Sequence, residues 1–323
     1  AAGLLAAGGY SPSTVSCTEE YTKNFITPYT TNVWTKGAPL ITARAFAGSA
    51  GTQNAGLAFG GQTPSNTDST EEYNGTSWSP GGNLNTARSD PSGAGTQNAG
   101  LAFGGNVNGI VECSEEYDGS SWTAGNTMIS ARRLLAGGGT QNSAVAFGGS
   151  PATGATEEYN GTSWASGGNL ITARLGLGGV AACTDNALAF GGATPTIVTC
   201  TEAYDGTSWA AGGALITSRY YLGSIGSSQT SAVAVGGKTP SITGATEQYN
   251  GSAWAADGYL ITAREAIRGA GTTNAGIVFG GETPSFTGAT ELFTATCSTT
   301  LCSTLPVFSS TAATINSGGG RGA

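Results

Sequence analysis

Recurring glutamates are the first residues whose type and spacing suggest chemistry. Two carboxylates are adjacent in Glu71-Glu72, and paired carboxylates can serve as general acid and base. The first member of this pair has equivalents along the chain, at Glu19, Glu71, Glu115, Glu157, Glu202, Glu247 and Glu291. Adjacent strand residues point to opposite faces, and an active site occurs once whereas a repeated feature is architectural. We therefore predict that these glutamates are structural, and that the chain has no catalytic residues and is not an enzyme.

Six arginines recur with similar spacing and are the natural partners of these carboxylates. They are Arg44, Arg88, Arg132, Arg174, Arg219 and Arg264. We predict that each glutamate pairs with an arginine of its own or a neighbouring repeat, in a ratio of seven to six. Removal of one partner from a buried pair typically costs about 3–5 kcal/mol.

Other chemistry has little support in the sequence. The chain has no histidine, which excludes a Ser-His triad, and no cysteine pair has the spacing of a metal site. The Gly-Gly doublets precede no helix, so they do not predict a phosphate-binding loop. We predict no cofactor and no metal.

Five of the six cysteines divide into two groups, and the sixth, Cys183, falls in a turn region. Cys17, Cys113 and Cys200 occupy equivalent positions of the repeat, and we expect them to be small buried residues. Cys297 and Cys302 would form a disulfide only in an oxidising compartment, so their redox state is left open.

The stretch that positions the repeated residues is Thr70–Trp78, which we interpret as a β-hairpin. Asn74-Gly75 is typical of a two-residue type I′ turn, which would pair Tyr73 with Thr76 and Glu71 with Trp78. Glu71, Tyr73, Thr76 and Trp78 would then share one buried face, and the opposite face would be free to vary. The aromatic pattern returns at Tyr117/Trp122, Tyr159/Trp164, Tyr204/Trp209 and Tyr249/Trp254. Asn74, Asn160 and Asn250 match the N-glycosylation pattern, but sister repeats have Asp118 and Asp205 there, which favours turn chemistry.

Gly-Gly doublets recur at intervals of about 44 residues, and each period predicts four short strands with no helical periodicity. Four strands per period are typical of a propeller blade. We predict an all-β propeller with seven blades, in which Lys23–Thr31 lengthens the first hairpin loop. The propeller would span residues 1–305, and residues 306–323 would form a tail. Within this tail, residues 307–315 would add an innermost strand beside Leu4–Ala7 and close the ring.

The order Gly-Gly, Glu-x-Tyr, Trp, Arg resembles the kelch repeat over nearly all of residues 3–295. The repeat is rich in Gly and Ala, as in Ala-Gly-Leu-Ala-Phe-Gly-Gly and Thr-Glu-Glu-Tyr-Asn-Gly-Thr-Ser-Trp. Such a sequence resembles the repeats of virion structural, fibre-like proteins of marine bacteriophages. The resemblance implies a non-enzymatic structural or interaction module located in a virion or outside the cell. It also implies other virion or surface proteins as partners, with oligomer formation plausible. Kelch-type copper oxidases use histidine ligands, which this chain lacks.

Function is expected where the repeats differ. In a four-stranded blade, the loops joining strands two to three and four to one open on the same side of the propeller. The candidate binding rim in these loops consists of Tyr10, Gln62, Asn106, Arg133, Tyr220, Tyr221, Lys238, Glu265 and Glu282, with Asp90 and Arg268 nearby. For any single residue, ordinary loop variation is an equal alternative.

Charge and hydropathy limit the partners. The net charge is −8 without basic clusters, which argues against nucleic acid, and no apolar run approaches the roughly 18 residues of a membrane span. The resemblance to phage fibre-like proteins implies a virion-associated propeller, a tail or head fibre or decoration, that presents its variable loops to a protein or a host surface. The alternative is a secreted or surface glycan-binding propeller.

Overall fold

The computed structural model describes residues 4–7, 18–21 and 30–297. The chain divides into two compact units, one comprising Asn32–Thr296 and the other Ala1–Thr31 with Cys297–Ala323. In the second unit, the described strands Leu4–Ala7 and Thr18–Tyr21 pair antiparallel. The predicted boundary at residue 305, the strand at 307–315 and Tyr10 lie outside the described residues.

The larger unit is an all-β propeller of six four-stranded antiparallel blades. Blades are numbered here in the order of their innermost strands. These strands are Gly48–Thr52, Ser92–Thr96, Ala136–Thr140, Gly178–Cys183, Gly223–Ser228 and Arg268–Thr272. Each contacts the innermost strands of both neighbouring blades, and the sixth contacts the first, so the ring is closed.

The remaining strands follow outward in chain order. The second strands are Ala55–Phe59, Ala99–Phe103, Ser143–Phe147, Asn186–Phe190, Ser231–Val235 and Ala275–Phe279. The third strands are Thr70–Tyr73, Ser114–Tyr117, Thr156–Tyr159, Thr201–Tyr204, Ala245–Tyr249 and Thr290–Cys297. The outermost strands are Trp78–Pro80, Trp122–Ala124, Trp164–Ser166, Trp209–Ala211, Trp254–Tyr259 and, for blade 6, Thr30–Gly37. A small hairpin of Glu282–Thr283 with Ser285–Phe286 lies in the loop between the second and third strands of blade 6.

The prediction of seven blades is wrong, because the two incomplete repeats at the ends of the chain contribute to one blade. Strand Thr30–Gly37 lies beside Thr290–Cys297 as the outermost strand of blade 6. Trp34 thereby supplies the tryptophan that the last repeat lacks, with its ring centroid 5.0 Å from that of Phe293. Tyr21 and Trp34 therefore do not form one hairpin with a lengthened loop, since the strand of Tyr21 pairs with Leu4–Ala7.

The predicted hairpin register is also wrong, and the predicted buried face is confirmed for Glu71, Tyr73 and Trp78 but not for Thr76, which is exposed in the loop. Tyr73 is opposite Trp78, which leaves a four-residue loop. Asn74 Oδ1 accepts hydrogen bonds from the backbone N–H groups of Thr76 (3.0 Å) and Ser77 (2.9 Å), and only Gly75 has positive φ. The asparagine side chain thus forms an Asx-type turn in place of the type I′ geometry.

Aromatic residues pack each blade against the next. Trp122 lies on Tyr117 of its own blade and on Phe59 of the preceding blade, both with centroids 4.9 Å apart. The same arrangement joins blade 6 to blade 1 through Phe279 and Trp78. Glycines allow the innermost strands to approach closely, since a Cβ added to Gly93 would lie 2.4 Å from the carbonyl oxygen of Ser49.

The face opposite the buried glutamates was predicted to be free to vary, and this is wrong at Glu72 and Glu158. Glu72 accepts a hydrogen bond from the hydroxyl of Tyr117 in the next blade at 2.6 Å. Glu158 accepts the equivalent bond from Tyr204, also at 2.6 Å. Where Ala203 replaces the second glutamate, no carboxylate is present to accept this bond. The second glutamate is therefore an inter-blade contact.

The arginines form six buried ion pairs with the glutamates of the third strands. The pairs are Arg44–Glu71, Arg88–Glu115, Arg132–Glu157, Arg174–Glu202, Arg219–Glu247 and Arg264–Glu291. Each arginine lies in the connection that leads into its blade, so every pair fixes that connection to the blade that follows. The ratio is six to six among residues whose side chains are described, and the side chain of Glu19 lies outside them.

Candidate binding face

The two sets of predicted rim loops lie on one side of the propeller and are joined in pairs. In blade 1, Ala45 N–H donates to Gln62 O at 3.0 Å and Gln62 N–H donates to Ala45 O at 2.8 Å. The six bridges are Ala45–Gln62, Ser89–Asn106, Arg133–Ser150, Leu175–Ala193, Tyr220–Lys238 and Glu265–Glu282. We call the surface formed by these pairs and the connections that precede them the loop face.

A closed ring of backbone hydrogen bonds surrounds the propeller axis at the loop face. Its members follow the first residue of each bridge and are Phe46, Asp90, Leu134, Gly176, Tyr221 and Ala266. Each N–H donates to the carbonyl of the ring member in an adjacent blade, over 2.8–3.4 Å. All six have positive φ, a region that costs a residue with a side chain roughly 1–2 kcal/mol. The ring therefore holds five side chains in a conformation that only glycine adopts without strain.

Side chains from non-adjacent blades meet over the axis inside this ring. Phe46 of blade 1 and Tyr221 of blade 5 form an edge-to-face pair with centroids 5.4 Å apart. Arg133, which precedes blade 3, forms an ion pair with Asp90, which precedes the adjacent blade 2, with Nη1 3.5 Å from Oδ2. Burial raises the pKa of Asp90, while the positive charges of Arg268 and Arg133 lower it.

Five predicted rim residues come together at blades 5 and 6. Lys238 Nζ lies 2.9 Å from Glu265 Oε1, and the rings of Tyr220 and Tyr221 are 4.3 Å apart. The hydrogen bond from Lys238 to Glu265 raises the pKa of the lysine. Burial, followed by the negative charge of Glu265, raises the pKa of Glu282. Because a half-exposed lysine, its buried carboxylate partner and a second carboxylate share this site, it can accept hydrogen bonds from a polar ligand.

Gln62 and Asn106 lie apart from that cluster, in a groove between blades 1 and 2. The groove has a volume of about 610 Å³, and its lining includes Asn66, Asn85 and Asn108. Asn66 Nδ2 donates to the carbonyl of Asn106 at 2.8 Å. The groove therefore offers several amide groups on the loop face.

A repeated apolar residue was not identified from the sequence. The residue three positions before each arginine is isoleucine in five blades, with 48–64% of its surface exposed. These residues are Ile41, Ile129, Ile171, Ile216 and Ile261, with Asn85 at the position in blade 2. In all six blades the backbone N–H of this residue donates to the buried glutamate, at 2.6–2.7 Å. The periodic spacing was visible in the sequence, but its exposure was not.

Acidic and cysteine side chains are the possible metal ligands of a chain without histidine. Within residues 32–295, no group of three or more acidic or cysteine side chains could hold a metal ion. Cys113 and Cys200 are free thiols and half buried, so the prediction that they are buried holds only in part. The side chains of Cys17, Cys297 and Cys302 lie outside the described residues. Over its described part, the protein contains no helix long and apolar enough to cross a membrane.

No protein-family model matches the chain, and no curated protein matches it in sequence.

Proposed function

We propose that this propeller is a non-enzymatic binding module whose loop face docks on another protein. The observation that carries the proposal is the set of five exposed isoleucines. At this position the backbone N–H donates a hydrogen bond to the buried glutamate, and the N–H of Asn85 makes the same bond. The fold therefore does not require isoleucine at this position.

Exposed isoleucines at equivalent positions of five blades form a distributed set of apolar anchors around the propeller. Exposed apolar groups that the fold does not require are typical of protein–protein contact sites. The charged residues at blades 5 and 6 would then supply polar contacts and specificity at the same face. A broad protein surface suits anchors spread over several blades better than a small molecule does.

We further propose that the chain is a kelch-type component of a bacteriophage particle, a fibre or decoration of its tail or head. The Gly/Ala-rich sequence of its repeats supports this part of the proposal. Its partners would be other virion proteins or the host surface. Quantitative mass spectrometry across a density gradient of native material tests it through peptides such as Leu134–Arg174. A fixed ratio to the capsid protein in particle fractions supports the viral role, and recovery only in the soluble fraction refutes it.

The docking role is tested separately by substitution on the loop face. A variant with all five isoleucines changed to asparagine, as at Asn85, should fold normally and bind the partner isolated with the protein at least about 10-fold more weakly. Val33→Thr, which changes an exposed residue of an outermost strand, is the control and should bind normally. Unchanged binding by the isoleucine variant would refute the docking role.

The amide groove between blades 1 and 2 favours a second candidate function, the binding of a glycan. Amide side chains such as those of Gln62 and Asn108 can donate to and accept from sugar hydroxyls. Saturable binding of an oligosaccharide that is lost in Gln62→Ala/Asn108→Ala supports this role. Absence of saturable binding across a glycan panel would exclude it.

A further inference from the structure

The central channel of the propeller contains one residue that breaks the repeat. A cavity of about 180 Å³ follows the axis between the innermost strands, lined mainly by glycine, alanine and serine. The position four residues after each paired arginine is occupied by Gly48, Ser92, Ala136, Gly178, Gly223 and Arg268. Blade 6 therefore places a guanidinium where the other blades have the smallest side chains.

Arg268 lies at the end of the channel nearest the ring of backbone hydrogen bonds. It lines both the channel and a small pocket of about 10 Å³ that it shares with Phe46, Leu134 and Tyr221. Because Phe46 and Tyr221 meet across the axis, these side chains obstruct the channel at the loop face. The cavity extends away from them, along the innermost strands to Gly51 at the strand turn of blade 1.

The charge of Arg268 is only partly balanced by the protein. Its Nη1 donates to the carbonyl of Ile267 at 3.1 Å. In the part of the chain whose side chains are described, no carboxylate lies within 4.0 Å of its guanidinium, and Asp90 is paired with Arg133 instead. Two guanidinium groups thus share the single carboxylate of Asp90.

The channel wall has no competing negative charge. No aspartate or glutamate is among the described residues that line it. Each innermost strand has a neighbour in its sheet on only one edge, so its other edge faces the channel. The N–H of Gly179 is one group on such an edge, and it donates to Ser224 Oγ of the next innermost strand at 2.9 Å.

We propose that the central channel is an anion-binding site in which Arg268 binds a small oxyanion or a carboxylate group. A guanidinium has five N–H donors in a planar fork that matches these groups, and one of them is used by Ile267. The cavity has room for on the order of ten waters, and hence for an anion of the size of sulfate with part of its hydration shell. The site is separate from the docking role of the loop face and does not depend on it.

Isothermal titration calorimetry with sodium sulfate, sodium phosphate and sodium acetate tests this proposal, with sodium chloride holding the ionic strength constant. The wild-type protein should bind one anion per chain, and the three salts distinguish tetrahedral oxyanions from carboxylates. Arg268→Gly introduces the residue found at Gly48, Gly178 and Gly223, and it should weaken binding by roughly 10- to 100-fold. Lys36→Ala removes an exposed cation from the outermost strand of blade 6 and should bind as the wild type does.

Three outcomes would overturn the proposal. They are no saturable binding by the wild type at millimolar anion, equal affinity in Arg268→Gly, and an equal loss in Lys36→Ala. Circular dichroism and melting of each variant show whether the fold is retained. If Arg268→Gly is unfolded, Arg268→Gln preserves the side-chain volume without the charge and should show the same loss of binding.

Discussion

Arg174→Ala is the sharpest test of how the blades are held together. The side chain of Arg174 is completely buried, and its Nη2 lies 3.0 Å from Glu202 Oε1. Its Nη1 donates to the carbonyls of Cys200 at 2.7 Å and Gly191 at 3.2 Å. One side chain therefore satisfies a buried carboxylate and the backbone that surrounds it.

The expected loss follows from what remains after truncation. The carboxylate of Glu202 would stay buried with only the backbone N–H groups of Ile171 (2.6 Å) and Thr172 (3.3 Å) as donors. Removal of one partner from a buried ion pair costs about 3–5 kcal/mol. With a urea m-value of about 3 kcal/mol/M, this corresponds to a fall in the unfolding midpoint of roughly 1 to 1.7 M.

Urea unfolding followed by tryptophan fluorescence measures this shift. Lys36→Ala, which removes an exposed cation from an outermost strand, should leave the midpoint within the error of the wild type. The double variant Arg174→Met/Glu202→Leu should recover much of the loss, because it leaves no unpaired buried charge. A midpoint for Arg174→Ala equal to that of the wild type would show that the pair does not stabilise the fold.

Two further predictions concern the aromatic residues between blades. Trp209 Nε1 donates to Thr156 Oγ1 at 2.9 Å, whereas Trp164 Nε1 is buried without a partner in the described structure. Trp209→Phe should therefore lower the free energy of unfolding by about 1–3 kcal/mol more than Trp164→Phe. Equal losses in denaturant titrations would contradict this prediction. Burial and the bonds to the glutamates raise the pKa of Tyr117 and Tyr204 from 10.0 to about 12, so their stabilisation is complete below pH 10 and is lost as the pH rises to about 12. Ultraviolet titration of the folded protein should show that these phenolates form at a higher pH than that of an unperturbed tyrosine. The unfolding midpoint should fall over the same pH interval. Phenolate formation at the pH of an unperturbed tyrosine would refute the prediction.

The sequence predicted the propeller because its informative features are local and repeated. Glu71, Tyr73 and Trp78 share a face in either hairpin register, so that prediction survived an error in the turn. The turn itself was mispredicted because the bonding of the Asn74 side chain to the following N–H groups competes with type I′ geometry. The repeated dipeptide alone does not distinguish these two outcomes.

Features that depend on distant partners could not be predicted in the same way. The blade number depends on the pairing of the strand of Trp34 with that of Phe293, roughly 260 residues away, and no local pattern encodes it. The contact of Glu72 with Tyr117 depends on the packing of adjacent blades. Similarly, a periodic isoleucine such as Ile171 is typical of a core position, and only the structure shows that it is exposed.

The closure of blade 6 has a consequence for the timing of folding during synthesis. Strand Thr30–Gly37 is among the first parts of the propeller to leave the ribosome, and its partner Thr290–Cys297 is the last. At about 5–20 residues per second, the earlier strand waits roughly 13–50 s for its neighbour. During this time Trp34 lacks the ring of Phe293 against which it packs. The ring can therefore close only after almost the whole propeller has been made, and premature termination within blade 6 would leave an open, aggregation-prone sheet edge.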